Sequence, residues 1–216
     1  MTQGKGFFIS IEGDDKAGKT TQAGLLAEWL RSRGFDVVET REPGGTAAGE
    51  AIRRILLHTE ASILAPVSEA LLFAASRGQL VEELIRPALE AGKVVVADRY
   101  VDSSLAYQAC ALGLPFEKVL AVNEWATASL WPDLTILLDL REPNLVAGRS
   151  HGGATDRIEG RRSAFHRKVA TAYRRLAARD PARFRVIDAA QPAAVVAEAV
   201  REAARGFIDR EEVPRQ

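Results

Sequence analysis

The sequence has little of several residue types whose abundance would point to a particular class of protein. Its 216 residues include a single cysteine, Cys110, and its basic and acidic side chains number 29 each. A single cysteine cannot form an intramolecular disulfide, which excludes a disulfide scaffold and suits a reducing compartment. Balanced charge provides no global positive field to gather nucleic acid or an anionic membrane. We therefore expect a cytoplasmic protein without a nucleic-acid partner, whose anion sites are local.

Long hydrophobic runs are also missing. The N-terminal run at 7–11 ends at Glu12, and no later stretch of the sequence approaches the roughly 20 apolar residues of a membrane span. Hydrophobic residues nevertheless make up 47% of the chain, which suffices for a substantial buried core. Length and composition together predict a soluble protein with one domain over 1–216 and no membrane contact.

The pattern of apolar residues predicts alternating strands and helices. Short apolar runs predict strands at 7–11, 36–40, 94–97, 134–138 and 184–187. Helical patterns follow the first strand and lie at about 47–57, 67–90, 102–110, 116–128, 142–149, 158–179 and 192–206, before a solvated tail at about 207–216. This alternation predicts an α/β fold of three layers, a five-stranded parallel sheet covered by helices on both faces.

A glycine-rich segment follows the first predicted strand. Residues 13–20 read GDDKAGKT, which fits GxxxxGK[ST] and opens a helix, as a P-loop does. Backbone N–H groups of such a loop converge on phosphate oxygens, and the helix N-terminus adds a positive dipole. We expect Lys19 to neutralise the β- and γ-phosphates and the Thr20 hydroxyl to bind Mg²⁺. The predicted ATP-phosphate site comprises Gly13, Asp14, Asp15, Lys16, Ala17, Gly18, Lys19, Thr20 and Thr21.

A P-loop alone does not distinguish a kinase from a nucleotide-binding switch. Arginines and aromatic residues in three later segments supply candidates for binding a second substrate: Arg41, Phe73, Arg77, Arg99 and Tyr107. Guanidinium groups bind phosphate in bidentate fashion and aromatic faces stack on bases, so this set favours a planar, anionic second substrate. The combination with the P-loop favours a kinase.

These motifs together resemble the thymidylate kinase family of P-loop nucleoside monophosphate kinases, which make dTDP. The resemblance rests on FISIEG at 8–13, TREPGGT at 40–46, LLFAASRGQ at 71–79, DRYVDSSLAYQ at 98–108, WPDLTILLDL at 131–140, DRIE at 156–159 and VIDAAQP at 186–192. It implies a P-loop kinase fold, phosphorylation of dTMP by ATP with Mg²⁺, and a homodimer.

The resemblance also implies where dTMP binds. The residues matching the family's acceptor site are Asp15, Arg41, Phe73, Arg77, Arg99, Ser104, Tyr107 and Gln108. Arg41 and Arg99 would contact the dTMP phosphate, Phe73 would stack on thymine, Asp15 would face the 3′-hydroxyl, and Tyr107 would pack against the sugar. The other members would complete the base pocket, with Arg77 hydrogen-bonding the base.

On the donor side, the resemblance implies that Asp98 orients Arg99 and helps to hold Mg²⁺. Arg149 matches a residue near the ATP base, and Glu159 matches a carboxylate of the lid helix. The lid at about 148–158 has no Lys or Arg in its core, 150–156. We therefore expect Lys16 to supply charge to the transition state, which makes Lys19, Lys16, Arg99 and Asp15 the predicted catalytic set.

Two alternative functions stay open at this stage. They are a kinase for another pyrimidine nucleoside monophosphate and a non-catalytic nucleotide-binding regulatory module.

Two further features of the sequence concern metal ions and partners. The three histidines are far apart in the sequence and lack ligand spacing, so no zinc site is expected. Helices 67–90 and 116–128 are more apolar than one side of a sheet requires, and with Trp125 and Trp131 they predict a homodimer.

Overall fold

The computed structural model describes residues 6–58, 64–140, 158, 161 and 163–212. Within this part of the chain, the strands are β1 (Phe8–Gly13), β2 (Val37–Arg41), β3 (Val94–Asp98), β4 (Leu134–Asp139) and β5 (Phe184–Asp188). They pair in parallel in the order β2-β3-β1-β4-β5. The predicted five-stranded parallel sheet is confirmed, and each strand runs one or two residues beyond its predicted carboxyl end.

Helices connect the strands. They are α1 (Lys19–Ser32), α2 (Ala47–His58), α3 (Pro66–Leu80), α4 (Arg86–Glu90), α5 (Val101–Ser104), α6 (Phe116–Thr127), α7 (Ser163–Arg179) and α8 (Ala193–Glu212). A π-helical segment, Val81–Ile85, joins α3 to α4, and a second one, Leu105–Ala111, continues α5. None of the described helices is both long enough and apolar enough to cross a membrane.

The sheet buries both of its faces, because successive side chains of a strand point to opposite sides. Phe8 packs into a core with residues of α3 to α7, whereas the adjacent Ile9 packs into a second core with residues of α1 and α8. Val95 and its neighbour Val96 divide in the same way on β3. The predicted three-layer arrangement is therefore confirmed.

Two predicted helix boundaries are wrong. Helix α7 begins at Ser163 rather than at 158, and Ile158 lies in a turn that Arg161 closes by donating its backbone N–H to the Ile158 carbonyl. Helix α8 continues to Glu212, so the predicted solvated tail begins too early. Phe207 is buried there and its ring lies 5.6 Å from that of Phe7, because the end of α8 covers the start of β1. The predicted helix at 142–149 lies outside the described residues.

The parallel register places three strand ends at one edge of the sheet. Asp98 at the end of β3 is the register partner of Ile11 on β1 and of Arg41 on β2. Ligands of open α/β sheets bind beyond the carboxyl ends of the strands. The loops that follow β1, β2 and β3 therefore converge on one site.

Candidate active site

The P-loop between β1 and α1 has the backbone geometry that its glycines permit. Gly13 and Gly18 have φ angles of 147° and 88°, in the region that favours glycine, and α1 begins directly after Gly18. Lys19 is buried, and its Nζ donates a hydrogen bond to the Asp14 carbonyl at 2.8 Å. Burial and the like charge of Arg99 both lower the pKa of the Lys19 ammonium. The loop therefore contains a desolvated positive charge.

The predicted magnesium ligands are adjacent in the structure. The exposed Thr20 hydroxyl donates a hydrogen bond to Asp98 Oδ2 at 2.5 Å, although the two residues are 78 positions apart. Hydroxyl and carboxylate oxygens are the ligands that Mg²⁺ prefers. The oxygen atoms of Thr20, near the start of α1, and of Asp98, at the end of β3, therefore fit Mg²⁺ brought by a nucleotide.

Arg99 connects the P-loop to the residues that follow β3. Its guanidinium forms an ion pair with Asp15, donates to the Gly13 carbonyl at 3.0 Å, and lies 5.0 Å from the centre of the Tyr107 ring. The Arg99 backbone has a φ of 76°, a conformation that non-glycine residues adopt rarely and that costs free energy. The strained residue is thus the one whose guanidinium lies against the P-loop.

Asp15 has one carboxylate oxygen that is not hydrogen-bonded to the described part of the protein. Oδ1 accepts from Arg99, whereas the buried Oδ2 has no hydrogen-bond partner among the described residues. Burial raises the pKa of this carboxyl, but the charges of Arg99 and Lys19 outweigh that effect and the net shift lowers it. A buried anionic oxygen of this kind calls for a hydrogen-bond donor from a ligand.

Asp14 and His166 meet beside this carboxylate. His166 Nδ1 lies 2.8 Å from Asp14 Oδ1 and 3.9 Å from Asp15 Oδ2, and the Tyr107 hydroxyl donates to Asp14 Oδ1 at 3.1 Å. Sequence spacing did not reveal this contact, because 152 positions separate His166 from Asp14. Arg99 already balances the Asp15 charge, which disfavours a metal ion at this cluster.

The side chain of Arg77 hydrogen-bonds to other residues of the protein. Its side chain is fully buried, and all three guanidinium nitrogens hydrogen-bond: Nε to Glu42 at 2.8 Å, Nη1 to Ser104 Oγ at 2.9 Å and to Asn123, and Nη2 to the Tyr100 carbonyl at 3.0 Å. Ser104 is thus brought next to Arg77, and a base pocket formed by the two residues stays a prediction. A hydrogen bond from Arg77 to a base stays a prediction.

The other predicted acceptor residues differ in their surroundings. Gln108 is buried and donates to Glu69 Oε1 at 3.0 Å, and Phe73 is half-buried against the core beneath α3. Arg41 is more than half exposed and forms an ion pair with Glu50 at 3.1 Å, so its contact with a phosphate stays a prediction. Arg149, Glu159 and positions 148–157 of the predicted lid lie outside the described residues.

Glu12 is a buried acid at the centre of the site. The sequence identified it only as the residue at which the first apolar run ends. Its Oε1 accepts from the Tyr100 N–H at 2.7 Å, and its Oε2 accepts from the hydroxyls of Ser103 at 2.7 Å and Tyr173 at 2.8 Å. Burial, with a smaller contribution from the negative charge of Asp102, raises the Glu12 pKa to about 7. An acid ending an otherwise apolar strand was the available signal.

The raised pKa of Glu12 predicts a pH-dependent stability. The folded protein binds this proton more tightly than the unfolded chain, so the contribution is fully present below pH 4.5 and is lost as pH rises through about 7. Between pH 4.5 and 8, the wild-type free energy of unfolding should fall on the order of 3 kcal/mol further than that of Glu12→Gln. Urea unfolding at several pH values measures this difference. Parallel pH profiles for the two proteins would contradict it.

Comparison with known proteins agrees with this geometry. The family model described as thymidylate kinase matches residues 11–200. The chain belongs to the thymidylate kinase family. It is 47% identical over 204 residues to thymidylate kinase of Caldanaerobacter subterraneus subsp. tengcongensis, covering 94% of this chain and 97% of that protein. It is 52% identical over 189 residues to thymidylate kinase of Bifidobacterium longum, covering 86% and 91%.

A solved structure extends the likeness to the fold of the thymidylate kinase family. The crystal structure of thymidylate kinase from Ehrlichia chaffeensis is similar to this chain with a TM-score of 0.75 and 31% sequence identity. The alignment covers 93% of this chain and 98% of that protein. The resemblance inferred from motifs is therefore confirmed, and so is the P-loop kinase fold.

Proposed function

We propose that this enzyme transfers the γ-phosphoryl group of ATP to dTMP, forming dTDP and ADP with Mg²⁺, as a cytoplasmic step in dTTP synthesis. Membership of the thymidylate kinase family over residues 11–200 supports this activity. The observation that carries the proposal is the position of Arg99, whose guanidinium contacts both the P-loop and the Tyr107 ring. A nucleotide switch would need only the first of these contacts.

Transfer between two polyanions needs positive charge and in-line positioning more than covalent help. Lys19 and Arg99 carry charges that are largely shielded from water, where electrostatic stabilisation is strongest. Lys16 adds an exposed charge on the same loop. Mg²⁺ held near Thr20 and Asp98 would neutralise charge on the β- and γ-phosphates.

On the acceptor side, Asp15 Oδ2 would accept a hydrogen bond from the 3′-hydroxyl of dTMP, which gives this buried oxygen its missing partner. Tyr107 would pack against the sugar. Its hydroxyl is held by Asp14 and its ring by Arg99, so it cannot easily move aside for the 2′-hydroxyl of a ribose. The Asp15 contact would position the sugar, and the packing of Tyr107 would make the enzyme specific for deoxyribonucleotides.

Beyond the site, the proposal includes the organisation of the chain. We propose a single domain whose lid, at about 148–158, closes over ATP and excludes water, so that hydrolysis does not compete with transfer.

A coupled assay of ADP release tests the proposed function. ATP and Mg²⁺ are combined separately with dTMP, dUMP, UMP, CMP and AMP. We expect the highest kcat/KM with dTMP. A higher value with another pyrimidine nucleotide would assign a different acceptor. ATP binding without stimulation by any acceptor would indicate a regulatory module instead.

We also propose that the enzyme is a homodimer. Large apolar side chains are exposed on three helices: Ile55 on α2 is 46% exposed, Val67 and Leu71 on α3 are 57% and 50% exposed, and Trp125 on α6 is 87% exposed. Helix α3 packs against both α2 and α6, so the three helices that carry these residues are neighbours. A patch of this kind is typical of an isologous interface. Trp131 was expected to contribute, but it packs against the core under Arg183 instead.

Replacing Trp125 with serine should therefore weaken self-association. Wild-type enzyme is expected to sediment as a dimer at tens of micromolar, with the variant shifted towards monomer because the largest exposed apolar side chain is lost. Val195→Ser on α8, 53% exposed and away from α2, α3 and α6, is the matched control and should stay dimeric. Wild-type enzyme that sediments as a monomer would remove the dimer proposal.

A further inference from the structure

Two hydrogen bonds join α3 to the segment that follows β3. Arg77 donates to Ser104 Oγ at 2.9 Å, and Gln108 Nε2 donates to Glu69 Oε1 at 3.0 Å. Glu69, Phe73 and Arg77 follow one another at intervals of four residues along α3, so they lie on one face of the helix. Phe73 is thus located between the two polar contacts. The proposed base-stacking ring has a hydrogen-bonding side chain on either side.

Glu69 is a buried carboxylate with a partner on each oxygen. Its side chain is 1% exposed, and its Oε2 accepts from Arg161 Nη2 at 2.6 Å while Oε1 accepts from Gln108. Arg161 is itself packed, with its guanidinium 4.6 Å from the centre of the Phe165 ring. The positive charge of Arg161 thus lies against the buried Glu69 carboxylate and forms an ion pair with it.

An ionised carboxylate accepts hydrogen bonds and has none to donate. The amide of Gln108 can therefore turn only its NH₂ group towards Glu69, since its carbonyl would face a negative charge. Gln108 is 2% exposed, so no bulk water competes for this position. The Glu69 carboxylate thus selects one of the two amide orientations that glutamine otherwise adopts.

The orientation of this amide decides which pyrimidine it can pair with. Thymine and uracil present an N3–H donor next to a carbonyl acceptor, whereas cytosine presents an N3 acceptor next to an amino donor. An amide that flips freely pairs with either edge. With its NH₂ group turned towards Glu69, the Gln108 amide would present its carbonyl to N3 of the base, and this acceptor matches the N3–H donor of thymine and uracil. Presenting acceptor to acceptor and donor to donor would repel the other base.

We infer that Glu69, held by Arg161, is a positioning residue that fixes the Gln108 amide and makes the acceptor site selective for pyrimidines with N3–H over cytosine. The inference rests on the proposed function, because it assumes that the base stacks on Phe73. It adds to that function two residues, Glu69 and Arg161, that need not contact the substrate.

The decisive variant is Glu69→Gln, which keeps the shape of the side chain but can donate as well as accept. Gln108 is then able to flip. The ratio of kcat/KM for dTMP to that for dCMP should fall about tenfold or more. The ratio of dTMP to dUMP should stay at its wild-type value, because thymine and uracil share the same N3–H edge. The KM for ATP should not change.

Arg161 supplies an independent pair of variants in case the buried substitution at Glu69 prevents folding. Arg161→Met removes the charge at similar length, and it should lower the dTMP to dCMP ratio in the same direction. Arg161→Lys retains a positive charge and should restore most of the wild-type selectivity.

The outcomes separate this inference from the proposed function. Folded variants that keep the wild-type dTMP to dCMP ratio would overturn the role of Glu69, as would an equal fall in the dTMP to dUMP ratio, which indicates general loosening of the pocket. A wild-type enzyme that does not phosphorylate dTMP would overturn the proposed function itself.

Discussion

Arg99→Ala should lower kcat/KM for dTMP by about a thousandfold. The substitution removes the cation that we place against the acceptor phosphate, and charge stabilisation of phosphoryl transfer by arginine is worth this much or more. It also leaves the Asp15 carboxylate without its ion-pair partner, since Arg99 occupies Oδ1 and the described residues leave Oδ2 without a hydrogen bond. Steady-state kinetics with dTMP as the varied substrate measures the loss.

A matched substitution distinguishes charge from geometry at this position. Arg99→Lys retains the charge but not the planar fork that contacts Asp15 and the Gly13 carbonyl together, so we expect an intermediate activity. Binding of ATP alone, followed by calorimetry, should fall much less than kcat/KM in either variant, because Lys19 and the backbone N–H groups of the P-loop are retained. A folded Arg99→Ala enzyme within tenfold of the wild-type kcat/KM would reject the assigned role.

Lys16→Ala should lower kcat by about a hundredfold, with little change in the KM for dTMP. Lys16 is exposed on the P-loop, the segment that we expect to hold the ATP phosphates. Its backbone has a φ of 63°, a conformation that glycine adopts without strain and other residues adopt at a cost. We propose that the charge of Lys16 offsets this cost by stabilising the transition state.

The strained backbone of Lys16 provides a sharper test than the alanine variant alone. Lys16→Gly should raise the free energy of unfolding by about 1 kcal/mol, because the strain is relieved, while lowering kcat as much as Lys16→Ala does. Lys16→Arg should retain most of the activity. If the glycine variant matches the wild-type kcat, Lys16 is a solvent-facing side chain and another group supplies the charge.

Much of the fold, including the strand-to-helix turn that carries the P-loop motif, could be predicted from local patterns. The P-loop at 13–20 lies within eight consecutive residues, so its spacing is set by backbone geometry that any strand-to-helix turn of this kind repeats. The strands were found for a similar reason, because a sheet covered on both faces requires continuous apolar runs. Helix ends were less predictable. The α8 extension depends on Phe207 packing against Phe7, two residues that lie 200 positions apart.

The contacts of the predicted acceptor residues could not be deduced from such local patterns. Arg77 was identified from its motif, but the burial that commits its guanidinium to Glu42 is visible only in the structure. Arg41 was grouped with it on the same grounds, yet its described side-chain contact is an ion pair with Glu50 near the surface. A motif specifies which residue is present. It does not specify whether the side chain hydrogen-bonds within the protein or is available to a ligand.

The sequence by itself determined the P-loop motif, the layered α/β fold and the family, because each follows from residues that are close along the chain or from apolar periodicity. Only the tertiary structure decided which charges meet. Arg161 pairs with Glu69 across 92 positions, and His166 lies against Asp14 across 152. The packing of the helices over the sheet determines which of these charged residues meet. Burial then makes the pairing necessary, because an unpaired charge removed from water costs a large free energy.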